Sequence, residues 1–362
     1  MQMEYYSKHS LANLAIISLL FTGVLYICLY SEPISNLLSL ANRKPFCTST
    51  ESVTSFYKIS FPVDELQLAL EKASMPNKTV IIAVVNKAYA EQSVKAETTM
   101  LDLFIESFWL GEDTSHLIDH LLLVAVDQTA YDRCRFKRLH CYKLETEGVD
   151  FGGEKLYMSQ DFVKMMWRRT LLLLDVLKLG YSFIFTDTDV MWLRNPFPRL
   201  SANGSIDMQI STDWFNGDPE SEKNAINTGF YYARSNNKTI ALFEEWYGRK
   251  DNSSGKKEQD VLFDLMEEGM FGQLGLHARF LDTVYFSGFC TDSKDVRAVA
   301  TVHANCCRSI KAKVRDLGVV LRDWKQFRAV DAYRKAKRVK NRNLPFRWTG
   351  HFGCWRSWNT TA

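Results

Sequence analysis

The sequence predicts an α/β protein: a single domain with a mostly parallel, doubly wound central sheet, preceded by one N-terminal apolar helix. Three observations carry this expectation. Two apolar, β-prone runs, VIIAVV at residues 80–85 and LLLVAV at residues 121–126, alternate with segments of helical character, the pattern of a parallel sheet. A third such run, from Tyr181 to Thr186, follows a long amphipathic helix and ends in two carboxylates, Asp187 and Asp189. Finally, the uncharged stretch that opens at Leu11 and closes at Tyr30 would be about 30 Å long as a helix, enough to cross a bilayer.

Taken in order, residues 1–10 read as a short cytoplasmic tail and residues 11–30 as an uncleaved transmembrane signal anchor. The apolar run is longer than a signal-peptide core, and no small-x-small cleavage site closes it. Residues 31–60, rich in Ser, Thr and Asn, read as a stem, which leaves 61–362 as the lumenal domain. Sequons at Asn77, Asn203, Asn237, Asn252 and Asn359 agree with a lumenal location. So do the cysteines, whose spacing lacks the paired pattern of a zinc site and favours disulfides. Cys134 and Cys141 flank a short basic loop and form the best candidate pair. Cys290 with Cys306 or Cys307 comes next, and one lumenal cysteine stays over.

With 362 residues, 46% of them hydrophobic, the chain can bury one large core. A net charge of +3 excludes an ordinary nucleic-acid-binding protein, which needs a far more basic balance. The nine tryptophans fit both a large core and the apolar platforms of carbohydrate enzymes, and core is the commoner reason.

Within the domain, residues 64–73 read as a helix with Asp64 in its first turn, and residues 88–110 as helical after the first strand. Asn86 and Asp127 stand at strand ends, where each serves either a ligand or the cap of the next turn. Residues 159–179 form the clearest helix, with Ser159 as cap, a three-to-four apolar spacing and Gly180 as its stop. Lys164, Arg168 and Arg169 lie in its first half, where each reads either as a phosphate contact or, more commonly, as a solvated or paired cation. Further strands are expected at residues 206–211 and 226–234, and helices at 239–249 and 259–266. The basic tail from Arg308 to Arg347 reads as a solvated helix face, and the aromatic residues 346–358 as a segment that packs back on the domain.

Asp187 and Asp189 carry the chemistry. Side chains two apart on an extended segment point the same way, so both can address one divalent cation holding a diphosphate. Asn227 and Gly229 read either as a plain turn into a strand, the commoner reason, or as ligand groups, with Asn227 offering donor and acceptor to a sugar hydroxyl and Gly229 close backbone approach. His303 reads as a metal ligand or a structural histidine.

The blocks FTDTDVMWLRNPFP, INTGFYYAR, EQDVL and VHANCC, in that order after the 167–180 helix, resemble the plant nucleotide-diphospho-sugar transferases of glycosyltransferase family 77. The resemblance runs from about Val80 to Lys311. It implies a GT-A fold, a Golgi type II membrane protein, and a retaining glycosyltransferase that uses a Mn²⁺ (or Mg²⁺) ion and a nucleotide-sugar donor. The donor is expected to be UDP-linked, the sugar of arabinose, xylose or galactose type, and the acceptor a cell-wall polysaccharide or glycoprotein. By the same resemblance Asp187 and Asp189 are metal and donor ligands, and His303 is a further metal ligand. Asn227 and Gly229 then line the sugar site, and Gln259 with Asp260 match the acceptor-side block. Glu258 stands where an Asp is more usual, Lys311 is a diphosphate candidate, and Asn86 a donor-binding one. Glu258 and Asp260 are the nearest candidates for a catalytic carboxylate, with no nucleophile assigned. Two competing expectations are a haloacid-dehalogenase-type phosphatase, whose signature IFTDTDV also satisfies, and a non-catalytic lumenal scaffold retaining the fold.

Overall fold

The structure is a computed structural model and describes residues 64–91, 97–146, 149–155, 158–337 and 346–358. The expected tail, anchor and stem lie outside the described residues, as does Asn359. Among the described residues no helix is long and apolar enough to cross a membrane.

The first half of the domain is a run of strand–helix units, each helix started by a polar cap. Asp64 caps α1 (Glu65–Ala73) by accepting from the Leu66 amide. The strand β1 (Thr79–Val85) is apolar throughout because both its faces are buried. Asn86 then caps α2 (Lys87–Ala90), and Thr99 with Asp102 forms a capping box that opens α3 (Met100–Leu110). The single helical stretch expected over 88–110 is therefore two helices, because Thr99 starts a second one. Next come β2 (Leu121–Ala125), α4 (Gln128–Phe136) capped by Asp127, and β3 (His140–Lys143). α5 (Gln160–Lys178) has Ser159 as its N-cap, and Gly180 at φ +83° turns the chain into β4 (Ser182–Thr186).

After β4 the chain makes β5 (Val190–Trp192), β6 (Met208–Trp214) and β7 (Ala225–Ala233). The helices α6 (Asn237–Gly248), α7 (Glu258–Glu267) and α8 (Met270–Leu274) follow. The domain finishes with β8 (Ala278–Leu281), β9 (Phe286–Gly288), β10 (Thr301–His303), α9 (Ile310–Ala336) and α10 (Phe352–Arg356).

Seven strands form one sheet in the order β3-β2-β1-β4-β7-β6-β8, and β5-β10-β9 form a small second one. In the large sheet β7 alone runs against its neighbours, so the sheet is mostly parallel, as expected. The strand order reverses between β1 and β4, and crevices at such reversals, beyond the carboxyl ends of the strands, are where α/β sheets hold ligands. Two buried clusters cover the two faces. Ile81, Leu123 and Ile184 point to one with α3 and α9, while Val80, Leu122 and Phe185 point to the other with α5, α6 and α7. Four of the nine tryptophans, Trp167, Trp192, Trp246 and Trp324, are buried in these clusters.

Three disulfides join Cys134 to Cys141, Cys290 to Cys306 and Cys307 to Cys354. The last ties α10 to the segment after β10. The segment 346–358 does pack back: the Trp348 indole donates to the Ser293 carbonyl, and the His351 ring stacks on Phe289.

Candidate active site

Four chain segments converge at the rim: the end of β4, the start of β7, the start of α7 and the end of β10. β4 ends at Asp187, whose amide donates to the Gly229 carbonyl at 2.7 Å. Because β7 runs antiparallel, its opening residues Asn227, Thr228 and Gly229 meet the end of β4 rather than its start. The small sheet brings the fourth segment back, with His303 of β10 paired to Val190 and the Ala304 amide donating to the Asp189 carbonyl. No local sequence signal links these positions; the sheet topology does.

The side chains of Asp187, Asp189 and His303 offer ligand atoms that all lie within 4.8 Å of one another. Each carboxylate is divided in its duties. Asp187 Oδ1 accepts from Arg169 Nη1 at 2.9 Å, which leaves Oδ2 facing His303 Nε2 at 3.8 Å. Asp189 Oδ2 accepts from Lys313 Nζ at 2.6 Å, which leaves Oδ1 facing the same nitrogen at 3.3 Å. Gly229 makes room for this arrangement: a Cβ there would lie 2.3 Å from His303 Cε1 and 2.8 Å from Asp187 Oδ2. Two carboxylate oxygens and an imidazole nitrogen are a donor set that suits a divalent cation such as Mn²⁺.

Burial opposes the charge on Asp189, but Lys313 and His303 outweigh it and hold the carboxyl well below its usual range. Burial likewise disfavours charge on Lys313 and His303, and Asp189 overcomes it, raising the pKa of both. Tyr89 lines the same cleft, and burial pushes its phenol up to about 12.

A second layer is built on Arg169, which is only 5% exposed. Its other nitrogen donates to Glu258 Oε1 at 2.6 Å, and its guanidinium lies over the Phe185 ring at 4.5 Å. Thr228 Oγ1 donates to the same Glu258 oxygen at 2.9 Å, and the Thr228 amide donates to Gln259 Oε1 at 3.1 Å. Glu258 is 2% exposed, and its Oε2 is buried with no hydrogen-bond partner among the described residues. Asp260 accepts from the Lys257 amide as part of the start of α7. All three residues, Glu258, Gln259 and Asp260, line the cleft of about 470 Å³ that contains the cluster.

Of the other residues singled out from sequence, Asn227 lines the cleft but has both ends of its amide engaged. Its Nδ2 donates to Asp213 Oδ1 and its Oδ1 accepts from the Gly229 amide. Asn86 also lines the cleft, yet its oxygen caps α2 and its Nδ2 donates to the carbonyls of Phe151 and Gly153. Lys311 is exposed and outside the cleft lining; Lys313, two residues on, makes the contact. Helical spacing explains the difference, since residues two apart on α9 face different directions. Arg169 is the member of the basic trio that enters the site, while Arg168 donates to the Glu145 carbonyl. Sequence reasoning missed Asp213 and Asn305, which bond to each other at 2.6 Å across 92 residues. The four sequons at Asn77, Asn203, Asn237 and Asn252 place the asparagine on an exposed position.

Comparison with known proteins decides the family. Residues 116–317 match the model of the nucleotide-diphospho-sugar transferases, a span that contains Asp187, Asp189, Glu258 and His303. The chain belongs to this family of plant nucleotide-diphospho-sugar transferases. It is therefore a glycosyltransferase rather than a haloacid-dehalogenase-type phosphatase. An uncharacterized protein of Arabidopsis thaliana is 54% identical over 347 residues, covering 95% of this chain and 94% of its own length. A second is 41% identical over 259 residues, covering 71% of this chain and 66% of its own. The transferase's similarity to the beta-arabinofuranosyltransferase RAY1 of the same plant is 28% over 258 residues, 66% of this chain and 45% of that one. As a family member it implies a sugar-nucleotide donor and a glycan acceptor, and its Asp-Asp-His cluster could hold a divalent metal.

Proposed function

We propose that the protein is a retaining glycosyltransferase that moves a sugar of arabinose, xylose or galactose type from a UDP-linked donor to a cell-wall polysaccharide or glycoprotein. The observation that carries this reading is the convergence of Asp187, Asp189 and His303 on one point at the carboxyl end of β4, inside the largest cleft described. The arabinose option draws support from the printed activity of RAY1, and the three disulfides agree with an oxidising compartment such as the Golgi lumen.

The reaction breaks the bond between the anomeric carbon and the donor phosphate and forms one to an acceptor oxygen. Asp187, Asp189 and His303 would hold a divalent cation, Mn²⁺ or Mg²⁺, which when bound supplies Lewis-acid neutralisation of the departing diphosphate. Lys313 lines the same cleft and adds fixed positive charge for that leaving group. Gln259, which lines the cleft beside Thr228, suits a hydroxyl-rich ligand. Buried and held at Oε1 by Arg169 and Thr228, Glu258 suits positioning of those two residues better than nucleophilic attack.

Calorimetric titration of UDP, with and without Mn²⁺, tests the reading. Binding is expected only with the ion, and its loss in Asp189→Ala is expected as well. A folded wild-type protein that binds no UDP under either condition refutes the UDP donor.

A further inference from the structure

The cleft has an aromatic wall that the donor chemistry does not use. Trp358, just beyond α10, lines it with 46% of the side chain exposed. Its ring is fixed on several sides. The indole nitrogen donates to the Cys306 carbonyl at 2.7 Å, and the Arg308 guanidinium lies over one face at 3.9 Å. The preceding residue, Ser357, accepts from the Arg308 amide at 3.0 Å, and the Cys307–Cys354 disulfide anchors the helix from which the ring projects.

A ring so held has already committed its polar atom and one face. What remains exposed is aromatic carbon on the cleft side, which a partner meets with an apolar surface of its own. Two components of a sugar-transfer reaction present one: a nucleobase, and the C–H face of a sugar ring. Nucleotides sit in the crevice where strand order reverses, between β1 and β4, and Tyr89 past the end of β1 is the aromatic residue at that place. Trp358 is instead held by the segment that follows β10. The geometry points to Trp358 as a stacking platform for a sugar ring of the acceptor glycan, with Arg308 as the backing that keeps it upright. Phe352 and Trp355 of α10, each about half exposed and in edge contact at 5.3 Å, extend the aromatic surface beyond the cleft for further residues of the same glycan. This rests on the acceptor reading above.

The test is nuclear magnetic resonance of the full-length protein carrying ¹⁵N-labelled tryptophan, the Trp358 indole signal being identified by its loss in Trp358→Phe. Methyl α-L-arabinofuranoside, methyl β-D-galactopyranoside and a xylan oligosaccharide are titrated in turn, each with UDP and Mn²⁺ present. A saturable shift of the Trp358 signal with at least one of them supports the platform. Trp358→Ala should then weaken that glycan's affinity roughly fivefold, with Trp358→Phe retaining most of it. A shift with UDP alone assigns the ring to the nucleobase and overturns the inference, as does the absence of any shift with all three glycans. A protein that shifts with a glycan yet binds no UDP in calorimetry keeps the platform and sinks the donor reading, so the two fail separately.

Discussion

At the scale of single residues, Arg169 is the side chain on which the site's charge balance turns. It stands between Asp187 and Glu258, bonded to both, with almost no exposure to water. A buried ion pair is weak evidence of net stability, because an apolar replacement of the whole group can do as well. Breaking it from one side is different. Arg169→Met strands Glu258 as a buried charge without its cation, and the expected cost is about 3–5 kcal/mol in urea denaturation. Adding Glu258→Gln to that variant should recover part of the loss, so the double-mutant cycle yields a coupling of about 1 kcal/mol or more. If the two losses simply add, the guanidinium is held by its packing over Phe185 and not by the carboxylate.

Among the elements, the junction of α3 and α4 illustrates how one acidic residue serves two helices. Asp102 completes the capping box of α3 with Thr99 and meets Lys137, just past α4, at 2.5 Å. Burial tends to raise its pKa, but the bonds from Lys137 and Thr99 prevail and lower it. Its contribution is thus present above the unfolded-state value, about 3.9, and is lost as pH falls through the lower folded-state value. Asp102→Ala should cost about 1 kcal/mol near neutral pH, and thermal melts of variant and wild type should draw together as pH falls through the lowered folded-state value. Element-level features of this kind are local, and they were the legible part of the sequence: Ser159, Gly180 and the apolar strands announced themselves. β3 did not, because an edge strand of four half-buried residues carries no apolar run. Nor could the sequence separate Arg169 from Arg168, or Lys313 from Lys311, since the choice depends on which way a helix is turned by its packing. The Asp213–Asn305 contact is further still from view, since it joins a strand of the large sheet to the segment that follows the small one.

For the molecule as a whole, the C-terminal segment closes the architecture. Cys307–Cys354 spans 47 residues and fastens α10 beside the cleft. Replacing both cysteines with alanine should lower stability by about 2–4 kcal/mol, and limited proteolysis should then release the C-terminal segment first. Unaltered melting and an unchanged cleavage pattern would show that Phe346, Trp348 and His351 suffice to dock it. The same connectivity sets a problem for biosynthesis. Cys306 and Cys307 are adjacent, and each has a different partner, one 16 residues upstream and the other 47 downstream. When the growing chain has exposed Cys290, Cys306 and Cys307, Cys354 has not yet been made, so Cys290 meets two thiols that differ by a single residue and only one is correct. Every molecule that chooses Cys307 must exchange its bond before α10 can dock, so thiol–disulfide exchange becomes a step in forming this end of the domain.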